Sequence, residues 1–441
     1  MERLSVVDEI FLRTHRGMGT PIALQGLWRT VDRVEPALLE QVHRALSAGQ
    51  LGRRVIRARV PGARRGWQAT LRAYPLDYSA TPIPAAALLD WADTQGGGLD
   101  PEFGPGWRLS ATLLDDGGTV VSLTCSHALA DGRGLVHAVD AALAGIMGTD
   151  LGDPESASVG KPDSRPTSPR KPAPSAARNS DAVVVQDVSP DNSSDWTDAR
   201  RQWSIVLRGT ARALRNGLPE RPSTTDTGRA FAVDSAPRSA ILHCPTTEWD
   251  RFAADQGGTA NSLFIWIIAN LLWNSGFPRD EIEASLPVDT RDEPRADNDL
   301  AMTAITITRA DNPATLREKA REAYEHRMSS PGGLPEEILQ VIPDRWAHTL
   351  AKGAGERDIL CSNIGPLPDT LTTLGSHHCT GVAARAIHPG LQHLPRTRLS
   401  GYLCQIGEHY TLALVALDPE IKSPAALTEL IDTLGIPLSH W

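Results

Sequence analysis

The sequence predicts an α+β protein of two lobes, each built around a sheet. Three observations carry this expectation. The chain has 441 residues, and one hydrophobic core rarely grows past about 250–300. Segments of strand-like alternation and of helical spacing are mixed along the whole chain. A stretch rich in Pro, Ser, Asp and Gly, residues 151–195, separates two such mixed regions. Its composition buries too little apolar surface to offset the entropy of ordering it. The expected organisation is an N-terminal lobe over 1–150, a linker or mobile loop over 151–195, and a C-terminal lobe over 196–441.

The elements follow in order. Residues 37–48 have the spacing of a helix. Residues 53–60 alternate and meet the turn signal Pro61-Gly62, which predicts a hairpin with 66–71. Residues 107–114 and 119–125 predict strands joined by the turn Asp115-Asp116-Gly117-Gly118, with Val121, Leu123 and Cys125 on one face. A helix is expected over 134–144. In the second lobe, 196–215 reads as a helix and 240–243 as a strand. Residues 261–273 are apolar on every side, which marks a helix buried all round. Strands are expected near 283–288, 302–308, 358–361, 398–404 and 410–416. Helices are expected over 316–327, 336–352 and 427–434.

Composition excludes several functions. Lys and Arg number 44 against 53 Asp and Glu, a net charge of −9. Nucleic-acid-binding domains lean basic, so no nucleic-acid partner is expected. The longest apolar stretch, 263–273, is broken by Asn270. It is too short to cross about 30 Å of hydrocarbon, so no transmembrane segment is expected. The opening Met1-Glu2-Arg3-Leu4-Ser5 lacks the apolar core of a signal peptide. A cytoplasmic location is the resulting expectation. The five cysteines lie far apart with no CxxC spacing, which fits neither a disulfide scaffold nor a zinc ribbon. Each reads as a small buried hydrophobe.

One segment concentrates chemistry: Ser122-Leu-Thr-Cys-Ser126-His127-Ala-Leu-Ala-Asp131-Gly132. A strand delivers His127 at its C-terminal end, where catalytic groups commonly sit. A neutral imidazole there can take a proton from a hydroxyl or an amine. Asp131 can orient the loop by pairing with a distant arginine. Gly132 permits a backbone conformation closed to other residues. Three rival readings exist. His127 and Asp131, four apart, would share a helix face as metal ligands, but the strand and the glycines oppose a helix, and no third ligand is evident. Ser126 cannot partner His127, because neighbours on a strand face opposite ways. A structural histidine in a tight turn is the third reading.

His127-xxx-Asp131-Gly132 resembles the HxxxDG motif of the thioester-dependent acyltransferases. That superfamily includes chloramphenicol acetyltransferase, the plant BAHD enzymes, peptide-synthetase condensation domains, polyketide-associated acyltransferases and wax ester synthase/diacylglycerol acyltransferases. Further segments resemble it in family order. Leu4-Ser5-Val-Val-Asp8-Glu-Ile-Phe11-Leu12 is similar to an LSxxDxxFL opening, and Gly104-Pro105-Gly106-Trp107 to a GPLW segment. Asn261-Ser262 resembles an ND helix start, Pro287-Val288-Asp289-Thr290-Arg291 a PVxLR strand end, and Ser362-Asn363-Ile364-Gly365-Pro366 an SNxxGP loop.

The resemblance implies two chloramphenicol acetyltransferase-like lobes with an active-site tunnel between them. It implies His127 as the general base of acyl transfer from a thioester to a hydroxyl or amine, with no acyl-enzyme. Asp131 would pair with Arg291, or with nearby Arg295, to hold the loop. Ser362 and Asn363 would contact the reacting centre or its oxyanion, with turn-shaping before Gly365 as the alternative for Asn363. Asn261 would start its helix. The donor would be acyl-CoA or a phosphopantetheine thioester on a carrier protein, the acceptor a small molecule, with no permanently bound cofactor and no metal. The product would be an ester or amide of specialised-metabolite or lipid biosynthesis, made by a monomer. The alternatives are a degenerate domain that binds a carrier or acyl ligand, and a different reaction on a carrier-bound intermediate. Arg53, Arg54, Arg57, Arg59, Arg64 and Arg65 form a basic hairpin, either a solvated face or a contact for coenzyme A phosphates or an acidic carrier.

Overall fold

The computed structural model describes residues 2–17, 21–150, 194–215, 237–325, 357–391 and 394–441. The expected linker, except at its last two residues, and the expected helix over 336–352 lie outside the described residues.

The first sheet contains β1 (Ala23–Thr30), β4 (Asp77–Ile83), β5 (Trp107–Leu114), β6 (Thr119–Ser126), β11 (Thr373–Leu374) and β12 (His377–Ile387). Their order is β11-β12-β1-β6-β5-β4. The hairpin β5–β6 pairs as its alternation and its turn require, with Gly117 at φ +92° and Gly118 N donating to Asp116 Oδ1. Val121, Leu123 and Cys125 share one core with α2 (Pro36–Ala48) and α4 (Gly132–Asp150). The opposite face of the sheet is polar and equally buried. There Gln25 donates to Ser122 Oγ and to the Ala92 carbonyl, and Arg385 donates through Nε to Gln25 Oε1. Arg385 also pairs with Asp93 at the end of α3 (Leu88–Asp93), which offsets the cost of burying its charge.

The two sheets do not divide the chain as the lobes were expected to. Residues 373–387, placed in the C-terminal lobe by the sequence, complete the first sheet. β12 runs antiparallel to β1, from Ala23 opposite Ile387 to Thr30 opposite Cys379. Both central strands escape the periodicity argument. β1 is buried on both faces, so it carries no alternation, and β12 is an Ala/Gly-rich run with Arg385 inside it.

The second sheet contains β7 (Arg238–Pro245), β8 (Glu281–Asp289), β9 (Leu300–Thr308), β10 (Ile359–Pro366), β13 (Leu399–Ile406), β14 (His409–Ala416) and β15 (Ser439–His440). Its order is β15-β7-β14-β13-β10-β8-β9, with β10 parallel to both β8 and β13. The buried helix is α7 (Ala260–Asn274). Thr259 caps it, and Ser262 completes a reciprocal capping box from the third helical position. Ile268 and Phe264 of this helix lie against Gly401 of β13, where a Cβ would stand 2.5 Å from Ile268 Cδ1. The glycine is therefore what lets helix and sheet approach. α6 (Thr246–Asp255), α8 (Pro313–Glu325) and α9 (Pro424–Asp432) complete the second core.

A small ribbon, β2 (Arg53–Ile56) with β3 (Gly66–Ala69), is the expected basic hairpin. It packs beside α1 (Val6–Gly17) and α5 (Asp195–Arg215) through ion pairs. The connection from β8 to β9, residues 290–299, reaches back to the turn that follows β6, and that junction forms the site.

Candidate functional site

His127 leaves the end of β6, its N–H donating to the Ile22 carbonyl. The chain then turns, with Leu129 N donating to Ser126 O, and starts α4. Asp131 is the N-cap of that helix. Its Oδ1 accepts from Gly134 N at 2.7 Å, satisfying an N–H that the first turn leaves without a partner.

Asp131 is also the anchor between lobes. Arg291 Nη2 lies 2.7 Å from its Oδ1 and 2.6 Å from its Oδ2, and Asp299 N donates to Oδ2 at 2.9 Å. Both side chains of the pair are at most 5% exposed. Arg291 donates further to Asp289 Oδ1 and to the Asp297 carbonyl. The structure thus brings Arg291 onto Asp131. Arg295 instead pairs with Asp299 and Asp297.

Gly132 has a different role from the one expected. Its φ lies outside the left-handed region, and a Cβ there would sit 3.6 Å from Ile364 Cγ1, an ordinary contact. The constrained glycine is Gly134. A Cβ on it would stand 2.5 Å from the Ala296 carbonyl oxygen, so its absence lets the 290–299 connection press on the first turn of α4.

Around the imidazole stand residues that the sequence reading did not single out. Phe11 of α1 stacks on the ring, with centroids 3.5 Å apart and planes 14° apart. Asn298 Oδ1 lies 3.2 Å from His127 Nδ1, while its Nδ2 donates to the carbonyls of His127 and Ala128 and to Asp8 Oδ1. Burial pushes the imidazole below its ordinary pKa, against the opposing influence of its own carbonyl, Asp131 and Asn298. The ring is therefore neutral near pH 7. Only the resemblance of the segment around Asp8 and Phe11 hinted at this part of the site.

On the far side of Asn298 lies a polar cavity of about 230 Å³, bounded by Glu2, Asp8, Trp67, Asp297 and Asp299 among others. Arg53 reaches the turn beneath it, donating to the Leu129 carbonyl at 2.5 Å and pairing with Asp297. The basic hairpin is thus largely neutralised from within. Arg57 pairs with Glu102, Arg64 with Asp198 and Arg65 with Glu9, and Arg54 donates to Gln68.

Ser362 and Asn363 lie on β10, in register with Tyr402 and Leu403 of β13. Neither makes a hydrogen bond to His127 or Asp131 among the described residues. Asn363 accepts from Gly365 N at 3.0 Å, with Gly365 at φ +79°, and donates to Asn261 Oδ1 at 2.9 Å. Its amide is thus committed to shaping the loop. Ile364 between them packs toward Gly132. Asn261 lies in the first turn of α7, which Thr259 caps, and donates to the Tyr324 hydroxyl.

No protein-family model matches the sequence, and no curated protein matches it significantly. Solved structures do match the fold. The first condensation domain of the calcium-dependent antibiotic synthetase, in complex with a substrate analogue, superposes with a TM-score of 0.59 at 15% identity, covering 100% of this chain and 99% of that one. The starter condensation domain of rhizomide synthetase, in complex with C8-CoA and Leu-SNAC, gives 0.55 at 14% identity over 97% and 91%. The epimerization domain from the third module of tyrocidine synthetase B gives 0.53 at 12% identity over 99% and 95%. The chain has the two-lobed, chloramphenicol acetyltransferase-like fold of condensation domains. No helix among the described residues is long and apolar enough to cross a membrane.

Proposed function

We propose that the protein transfers an acyl group from a thioester, acyl-CoA or carrier-bound, to a hydroxyl or amine of a small-molecule acceptor. One observation carries the reading. His127 is held neutral at the junction of two condensation-domain-like lobes, with Nδ1 facing an amide oxygen and Nε2 left as the basic nitrogen. In this reading Nε2 takes the acceptor proton as the acceptor heteroatom attacks the thioester carbonyl. The tetrahedral intermediate collapses, the C–S bond breaks, and the thiolate takes the proton back from the imidazolium. No acyl-enzyme is required.

Asp131 and Arg291 act structurally in this scheme, with Gly134 rather than Gly132 as the glycine that lets the His127 turn lie against the 290–299 connection. For the oxyanion we retain Ser362, whose hydroxyl makes no hydrogen bond among the described residues. Asn363 has its amide engaged by Gly365 and Asn261. The rhizomide domain with C8-CoA supports a CoA or phosphopantetheine donor. The internally paired hairpin arginines weaken the case for them as its phosphate contacts.

The test is incubation with a panel of acyl thioesters and acceptor alcohols and amines, read by mass spectrometry. Acyl products are expected from the unaltered chain, and His127→Ala should lower their rate at least about a hundredfold. Near-native turnover by that variant would overturn the base role. The shared fold of an epimerization domain favours one second reading, a reaction on a carrier-bound intermediate that adds no acyl group. Conversion of the intermediate without a mass change would identify it.

A further inference from the structure

We propose that Asp8 is a positioning residue for His127, holding the Asn298 amide in the one orientation that leaves Nε2 of the imidazole unprotonated. The inference rests on the base role proposed above. Asp8 touches no atom of the ring and acts through Asn298.

Asn298 joins the two residues. Its Nδ2 lies 2.9 Å from Asp8 Oδ1, 2.8 Å from the His127 carbonyl oxygen and 3.3 Å from that of Ala128. All three are acceptors, so the amide nitrogen belongs on that side. Its oxygen is then turned to His127 Nδ1 at 3.2 Å. An amide oxygen only accepts, so Nδ1 carries the ring proton of the neutral imidazole. The lone pair is left on Nε2.

Asp8 makes this orientation the strong one. Burial raises the Asp8 pKa, while Arg53, the Asn298 amide and Ser5 N oppose that and favour the carboxylate, and hydrogen bonds to an ionised acceptor are about twice as strong as neutral ones. A flipped amide would bring its oxygen against the carboxylate instead. Asp8 is itself fixed: Ser5 N donates to its Oδ2 at 2.8 Å, and its own N donates to Ser5 Oγ at 3.0 Å. It is 2% exposed and stands with Asn298 at the wall of the polar cavity. Phe11, three residues on in the same helix, stacks on the ring. One helix therefore sets both the plane of the imidazole and its tautomer.

The experiment labels the histidines of the full chain with ¹⁵N and reads the tautomer by long-range ¹H–¹⁵N correlation above the ring pKa. A His127→Gln spectrum assigns the signal. The unaltered chain should show the Nδ1–H tautomer. Asp8→Ala should shift it toward Nε2–H and lower kcat about tenfold with KM unchanged. Asp8→Asn, which keeps the volume and one amide oxygen as acceptor but loses the charge, should show a smaller shift in the same direction. An Nε2–H tautomer in the unaltered chain would overturn the proposal without any variant having to fold. So would an unshifted Nδ1–H signal in a folded Asp8→Ala chain. The tautomer is read without substrate. A chain with the Nδ1–H form and the Asp8-dependent shift, but no acyl transfer, keeps the positioning role and removes only the function.

Discussion

Arg291 Nη2 touches both carboxylate oxygens of Asp131, at 2.6 and 2.7 Å, across 160 residues of sequence. The pair joins the connection between β8 and β9 to the turn that carries His127. Both groups are nearly inaccessible to water, so each charge depends on the other. Removing one partner of such a pair costs about 3–5 kcal/mol. Arg291→Ala should lower the denaturation midpoint accordingly. Arg291→Lys should recover only part of the loss, since an ammonium cannot also serve Asp289 and the Asp297 carbonyl from a planar fork. Chemical denaturation of the three proteins checks this, and equal midpoints would refute the anchoring role.

The two glycines after Asp131 should respond oppositely to substitution. Gly134→Ala drives a methyl into the Ala296 backbone and should destabilise by about 1–3 kcal/mol. Gly132→Ala places its methyl at 3.6 Å from Ile364 on a backbone that any residue adopts, and should leave stability nearly unchanged. Thermal denaturation of both variants distinguishes them.

What the sequence made legible depends on range. His127, Asp131 and the strand before them are local features, and Arg291 was reachable through the resemblance of 287–291 to a PVxLR strand end. Asn298 lies outside every such segment, and the resemblance that covers Asp8 named no role for it. They meet 290 residues apart, and an asparagine near a strand carries no sign of what it orients. β1 was missed because a strand buried on both faces loses the alternation that marks a strand, and β12 because it is an Ala/Gly-rich run with an arginine inside it. Gly132 was credited with a backbone freedom that the structure does not use, because a motif names a position without showing which atoms press on it.

His377 predicts a pH-dependent contact far from the site. Its Nδ1 lies 2.9 Å from Asp32 Oδ2 and its Nε2 2.8 Å from Glu35 Oε2. Both carboxylates accept, so both ring nitrogens must donate and the ring is charged. Burial opposes this, but the two carboxylates outweigh it and raise the pKa above 6.5. A raised folded-state value stabilises below the unfolded-state value, and the gain disappears as pH climbs through the folded one. The contact ties β12 to the start of α2. Thermal stability of the unaltered chain relative to His377→Gln should therefore be greatest below about pH 6.5 and should fade above neutrality. A difference that grows with pH would contradict this.

His127 has the opposite sign and gives the catalytic prediction. Burial lowers its pKa, so the neutral form that accepts a proton persists below the range of an ordinary histidine. In the acyl-transfer reading, the log of kcat/KM should stay flat from neutrality down past about pH 6.5. It should fall with unit slope only below the depressed value. Asp131 pulls the other way on the imidazolium, although it does not touch the ring. Asp131→Asn should thus move the acid limb further down in pH while lowering stability. The pH–rate profiles of the two proteins, measured where both remain folded, test this directly. An acid limb above pH 6.5 in the unaltered chain, or one that rises in the variant, would contradict the electrostatic account of His127.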